Sequence, residues 1–122
     1  MAQHNEMGKW GEQMAAEYLE RKGFRIMWRD WRDGHRDIDI VGIDADNLVV
    51  VEVKTRRNKT YVDPEKAVDI KKIKSLSIAA NKLVRTCNID MPVRFDIVTV
   101  TGKPGEECDI NHIEDAFLPL PY

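Results

Sequence analysis

The sequence predicts a small α/β domain built on a mixed sheet, from three observations. An amphipathic helix pattern opens the chain, valine-rich segments of strand period follow, and one long helical crossover separates the third of them from the fourth. Short turns join strands that pair antiparallel, whereas a crossover of this length suits a parallel neighbour. At 122 residues the chain holds one hydrophobic core and not two, so residues 1–122 are expected to be a single domain.

From Asn5 to Lys22, Met7, Trp10, Gly11, Met14, Ala15, Tyr18 and Leu19 recur at i, i+3 and i+4, which predicts a helix. Gly23 supplies its left-handed cap. "FRIMWRDW" alternates, with Phe24, Ile26 and Trp28 expected on one face and Arg25, Met27 and Arg29 on the other. Strands over Asp37–Ile43 and Leu48–Lys54 flank the turn "DADN". A second helix is expected from Pro64, with Asp63 as N-cap, proline at the first helical position and Glu65 at the positive end of the dipole, running to about Arg85. "VRFDIVTV" is the fourth strand, and "DINHIEDAF" a short edge strand with an irregular tail.

Composition excludes several classes. Hydrophobic residues at 43% and charged residues at 33% fit a folded domain rather than a disordered chain. No apolar run approaches the roughly 18–20 residues that span a bilayer, so no membrane partner is expected. "MAQHNEMGKWGEQ" lacks a signal-peptide core, and Cys87 and Cys108 form no disulfide framework; both favour the cytoplasm. His4, His35 and His112 make no zinc spacing. The net charge of −2 conceals a segregation: ten basic and three acidic residues from Lys54 to Arg85, five acidic and one basic from Gly102 to Tyr122. A basic face suits a polyanion, although a solvated helix face gives the same count.

The segment "IDIVGIDADNLVVVEVKTR" carries the chemistry. If Ile43 and Leu48 close the turn, Asp39 faces Glu52 and Asp37 faces Lys54, both pairs on one side; Ile38, Ile40, Val49, Val51 and Val53 then share the other. Two ionised carboxylates at about 4 Å and an effective dielectric near 20 repel by roughly 4 kcal/mol. A retained proton, screening by Lys54, or a divalent cation each relieves this. Magnesium takes one or two carboxylates and keeps waters, and a lysine two residues along reaches an attacking water or a scissile phosphate. The same residues also make an exposed face of weak ion pairs.

Asp39 followed by Glu52-Val53-Lys54 across a hydrophobic hairpin resembles the PD-(D/E)xK nuclease core. The wider pattern is similar to the uncharacterised bacterial YraN-like family, itself similar to archaeal Holliday junction resolvases. The matching pieces are "GKWGEQMAAEYLERKGFRI", "DIDIVGID", "VVVEVKTR", "PEKA", "RFDIVTV" and "HIEDAF", in order over nearly the whole chain. One departure is Arg36-Asp37-Ile38-Asp39 where the family usually has Gly-Glu-Ile-Asp, which leaves the metal aspartate in place. The resemblance implies a restriction-endonuclease-like mixed five-stranded sheet flanked by helices. It also implies a Mg²⁺- or Mn²⁺-dependent endonuclease on nucleic acid, more specifically structured or branched DNA. Asp39 and Glu52 would bind the metal with the Val53 carbonyl as third donor, Lys54 would activate the water, and Glu12 would support the metal or its waters. Glu12 also borders the apolar stripe beside Gly8, Gly11, Ala15 and Ala16, small residues that permit close approach to a sheet.

Beyond the hairpin, Arg56, Arg57 and Lys59 are candidate phosphate contacts, Arg56 first because it shares the face of Lys54. Lys71 and Lys72, with Lys74, offer a further basic stripe. Trp31, amid Arg29, Arg32, His35 and Arg36, is a candidate for stacking on unpaired bases, and Asp96 is expected to pair with Arg94 or to cap a neighbour, a structural role. Junction cleavage needs two sites, so a homodimer is expected. A nucleic-acid-binding module with little turnover and a protein-interaction domain that uses the acidic end are the rival readings.

Overall fold

The valine-rich segment forms the centre of the sheet. In β3 (Asn47–Arg56) every residue from Leu48 to Glu52 is buried, the signature of a strand covered on both faces. A computed structural model describes residues 2–58 and 68–121, with only the backbone of residues 2–5. Around β3 run α1 (Ala2–Arg21), β1 (Arg25–Asp33), β2 (Arg36–Asp44), α2 (Ile70–Thr86), β4 (Val93–Thr101) and β5 (Asp109–Phe117). The strands lie in the order β1-β2-β3-β4-β5, with β3 and β4 parallel and the other neighbours antiparallel. This five-stranded mixed sheet between two helices is consistent with a restriction-endonuclease-like fold. No helix among the described residues is long and apolar enough to cross a membrane.

Each helix covers one face. Ala15, Ala16 and Leu19 of α1 pack on Ile40, Val49, Val51, Val98 and Val100. Leu76, Ala79, Ala80 and Leu83 of α2 pack on Ile38, Val41, Leu48, Val50 and Phe95. Gly11 is the point of closest approach: a Cβ there would run into the Thr55 side chain of β3. Gly8, by contrast, has open space around it. Gly23, at φ +101, ends α1 as expected, while Phe24 N–H donates to the Leu19 carbonyl at 3.0 Å.

The hairpin register is the expected one, with Ile43 opposite Leu48, and Asp44 and Asn47 also pair, which shortens the turn to Ala45-Asp46. Facing differs from expectation in two places. β1 carries an irregularity between Ile26 and Trp28, so Phe24 and Ile26 join the α1 side while Trp28 joins the α2 side. Further along, Asp30 has φ +51, and the residues on either side of it pair with Ile40 and Ile38, which face opposite helices. Ile38 and Val41 lie on the α2 side and Ile40 on the α1 side. Strict alternation therefore breaks at Asp39, and Ile38 does not share the face of Ile40.

Helix α2 starts later than expected. Asp69 is extended and its carboxylate accepts the Lys72 N–H at 2.9 Å, so Asp69 caps a helix that begins at Ile70. The cap expected at Asp63, with Pro64, lies outside the described residues. β5 continues to Phe117, past the expected irregularity, because Asp115, at φ +51, donates its N–H to Asp96 Oδ1 at 3.0 Å. Asp96 also accepts two bonds from Arg94, both at 2.9 Å, which agrees with the pairing read from sequence. Past β5, Leu120 N–H reaches Ser77 Oγ of α2 at 3.0 Å.

Candidate functional site

β2 and β3 pair as far as Ile40–Val51 and then part. Where they part, the Val53 N–H donates to the Asp39 carboxylate at 2.8 Å. A side chain thus ties the strands together at the break, and the tie fixes the direction of the carboxylate. Burial, and then the nearby Glu52 charge, push the Asp39 pKa well above its ordinary 3.8, against the Val53 hydrogen bond that favours the ionised form.

Glu52 is only 3% exposed. Its Oε2 lies 3.2 Å from Lys54 Nζ on the same strand and 3.8 Å from Lys72 Nζ on α2. Its Oε1 is buried with no hydrogen-bond partner. Beside it on β4, in parallel register with Lys54, Thr99 also buries an unpartnered hydroxyl. Alternation along β3, together with the reach of Lys72, puts Glu52 and Lys54 on the α2 side of the sheet.

On the α1 side a cleft of about 440 Å³ opens at the same break. Glu12, Asp30, Asp37, Asp39 and Val53 contribute acids and backbone, Lys9 and Arg32 contribute cations, and Gly8 and Thr55 complete the wall. Glu12 lies 3.5 Å from Arg29 Nε. Burial raises its pKa, Arg29 opposes that, and Asp30 and Asp37 add to the rise. Asp39 therefore stands between two groups of side chains, the cleft acids on one face and the Glu52–Lys54–Lys72 cluster on the other. Among the described residues no three His, Cys, Asp or Glu side chains gather as a ready cage for a metal.

Residues 11–100 match the sequence profile described as "Uncharacterised protein family UPF0102". The chain belongs to the UPF0102 family. It is 50% identical over 119 residues to a UPF0102 protein of Bacteroides thetaiotaomicron, covering 98% of both chains. A UPF0102 protein of Porphyromonas gingivalis is 42% identical over 96% of this chain and 87% of its own, and one of Flavobacterium psychrophilum 40% identical over 96% and 98%. The YraN-like assignment read from motifs agrees with these matches. The UPF0102 match encloses Glu12, Asp39, Glu52, Lys54 and Lys72, and leaves Lys9 and β5 outside.

Within this UPF0102 fold the expected residues do not all meet. Asp39, Glu52, Val53 and Lys54 come together at the strand break, and Glu12 borders the same cleft. Asp37 does not face Lys54: the break at Asp39 turns it into the α1-side cleft, away from the Lys54 side. Arg56 donates from Nε to Thr101 Oγ1 at 3.3 Å, on the Lys54 face as expected. Arg57 lines a separate shallow depression with Glu106, Glu107 and Asp109. Lys59 lies outside the described residues. Lys71 is exposed, whereas Lys72 reaches Glu52. Trp31 is opposite Ile38, half-buried, and packs against the α2-side core. Sequence reasoning missed Lys9, Asp30 and Thr55 as cleft residues. The available signal was their place opposite or beside Glu12, Asp39 and Lys54 once the hairpin is drawn.

Proposed function

We propose that this chain is a divalent-cation-dependent endonuclease that hydrolyses the phosphodiester backbone of nucleic acid. One observation supports the reading above others: Glu52 buries an oxygen without a partner next to Asp39, whose carboxylate its own charge disfavours, two residues before Lys54 on the same strand. Two carboxylates that repel and one naked oxygen suit a hard cation that keeps its own waters, Mg²⁺ or Mn²⁺. Asp39 and Glu52 would hold it, with the Val53 carbonyl as a further donor. Such an ion, when bound, supplies an acidified water and neutralises phosphate charge.

The chain's own side chains supply the remainder. Val53 N–H fixes the direction of the Asp39 carboxylate by donating to Oδ2 at 2.8 Å. Lys54, 3.2 Å from Glu52, would donate to a water or a phosphate oxygen. Glu12, with a raised pKa, is suited to holding a proton or a water at the cleft wall. Lys9 and Arg32, on the Asp39 side of the break, can hold substrate phosphates along the cleft. The motif likeness to junction resolvases favours branched DNA, and because one chain carries one site, cutting both strands takes two copies.

Incubation with Mg²⁺ on duplex, single-stranded and four-way DNA should produce nicks. Asp39→Asn should abolish them and still shift the DNA, since the substitution removes a metal donor and leaves the basic groups. If the variant cuts as fast as the parent, the site is misassigned. A binding module without turnover is the second reading, favoured by the two lysines that already pair with Glu52 Oε2. It predicts a gel shift with no nick at any Mg²⁺ or Mn²⁺ concentration.

A further inference from the structure

Lys72 stands where a helix by itself would not place a cation. It is the third residue of α2, its N–H bound to the capping Asp69 carboxylate at 2.9 Å. Positive charge there opposes the helix dipole, and the first turn holds no acidic residue. The capping Asp69 is one carboxylate against the ammonium groups of Lys71, Lys72 and Lys74. Among the described residues only Lys72 of these three makes an ion pair: its ammonium lies 3.8 Å from Glu52 Oε2, beside that of Lys54 at 3.2 Å. Two cations thus share one carboxylate oxygen while the other, buried, has no hydrogen-bond partner.

A buried carboxylate beside a second carboxylate needs opposite charge. Lys54 is kept near Glu52 by strand spacing alone. Lys72 arrives from another element, at a helix position that disfavours it, and what it meets there is Glu52. A local rule broken with a specific gain elsewhere marks a functional position. We propose that Lys72 is the resident counter-ion of the Asp39–Glu52 site: it neutralises Glu52 in the metal-free protein and withdraws when a divalent cation arrives. This rests on the metal-binding reading above. Lys72 is then a positioning residue acting through Glu52, and not the phosphate contact that its place in a basic run implies.

Calorimetric titration of Mn²⁺ into the full chain tests it, with the parent, Lys72→Met, Lys72→Arg and Asp39→Asn compared. Removing one positive charge beside the ion should tighten Mn²⁺ binding by about threefold to tenfold in Lys72→Met. Lys72→Arg keeps the charge and should stay within about twofold of the parent. Metal-free Lys72→Met should melt below the parent and recover when Mn²⁺ is added. Loss of binding in Asp39→Asn identifies the titrated site. A Lys72 that merely props up the helix would leave Mn²⁺ affinity unchanged or weaker in Lys72→Met, and either outcome overturns the proposal while the metal site stands. A parent that binds no Mn²⁺ removes the metal site and this proposal together. Should Lys72→Met not fold, Lys72→Gln removes the same charge with a polar tip retained.

Discussion

Asp96 shows how a charge embedded in a strand is made harmless, and so sets the contrast for Asp39. Its carboxylate is fully buried but receives two bonds from Arg94, one from the Asp115 N–H and one from His112 Nε2 at 2.8 Å. Lys22 Nζ lies 2.7 Å from His112 Nδ1, so the ring accepts there and donates to Asp96. Burial works to raise the Asp96 pKa; the His112 and Arg94 bonds outweigh it and hold it below the ordinary 3.8. The linkage sign follows. A lowered folded pKa contributes stability that is complete above the unfolded value and lost as pH falls through the folded one. Asp96→Asn should therefore destabilise the fold at neutral pH by about 3 kcal/mol. Its loss of stability below the ordinary aspartate value should also be shallower than the parent's, as measured by urea melts across pH. Equal slopes would mean that Asp96 does not carry the acid sensitivity. Asp39 has one backbone donor and a repelling neighbour. One carboxylate is satisfied and the other is not, and only the second sits at a cleft.

At the scale of elements, the contact of α1 with β3 is set by Gly11. A Cβ at that position meets the Thr55 side chain, so Gly11→Ala must displace either Thr55 or the helix. Overpacking of this kind costs about 1–3 kcal/mol, and a displaced helix carries Glu12, the next residue, with it. Thermal unfolding should register the first effect. The Mg²⁺-dependent nicking rate, compared with that of a surface change on the same helix such as Glu20→Ala, should register the second. A Gly11→Ala protein as stable and active as the parent would show that the close approach is unimportant. The same elements indicate what sequence could reveal. Both helices, all five strands, the hairpin register and the parallel crossover were legible because each rests on local period, caps or connection length. The break at Asp39 was not. Whether Ile38 faces with Ile40 or against it depends on left-handed Asp30 in the neighbouring strand, and no period within β2 contains that information. The late start of α2 was hidden for a similar reason, since Asp63 and Asp69 both read as caps. Glu52 and Lys54 could be paired from spacing; Lys72 could not, because its partner lies across a crossover.

Across the whole molecule, a chain of net charge −2 binds a polyanion only through local arrangement of its cations. The structure divides the basic residues accordingly. Lys9 and Arg32 line the Asp39 cleft, whereas Arg57 shares its depression with Glu106, Glu107 and Asp109. Reversing the charge of Lys9 and Arg32 together should flatten the log–log dependence of duplex affinity on salt by about 2, near one unit per lost phosphate contact. Arg57→Glu should leave the slope almost unchanged. Fluorescence anisotropy over a salt series measures both, and the reverse ranking would relocate the binding face to the end of β3.

The parallel joint of β3 with β4 has a bearing on how the chain reaches this state. α1, β1, β2 and β3 are neighbours in sequence, but β4 can dock only after the chain has travelled the length of the crossover. Until then β3 is an open edge with Leu48, Val49, Val50 and Val51 in a row, a template for pairing with another nascent chain. Glu52 and Lys54 interrupt that row at its exposed end, and charges in such a place discourage edge-to-edge aggregation. The groups proposed above for metal binding and hydrolysis would thus also discourage pairing along β3 while the chain is still unfinished.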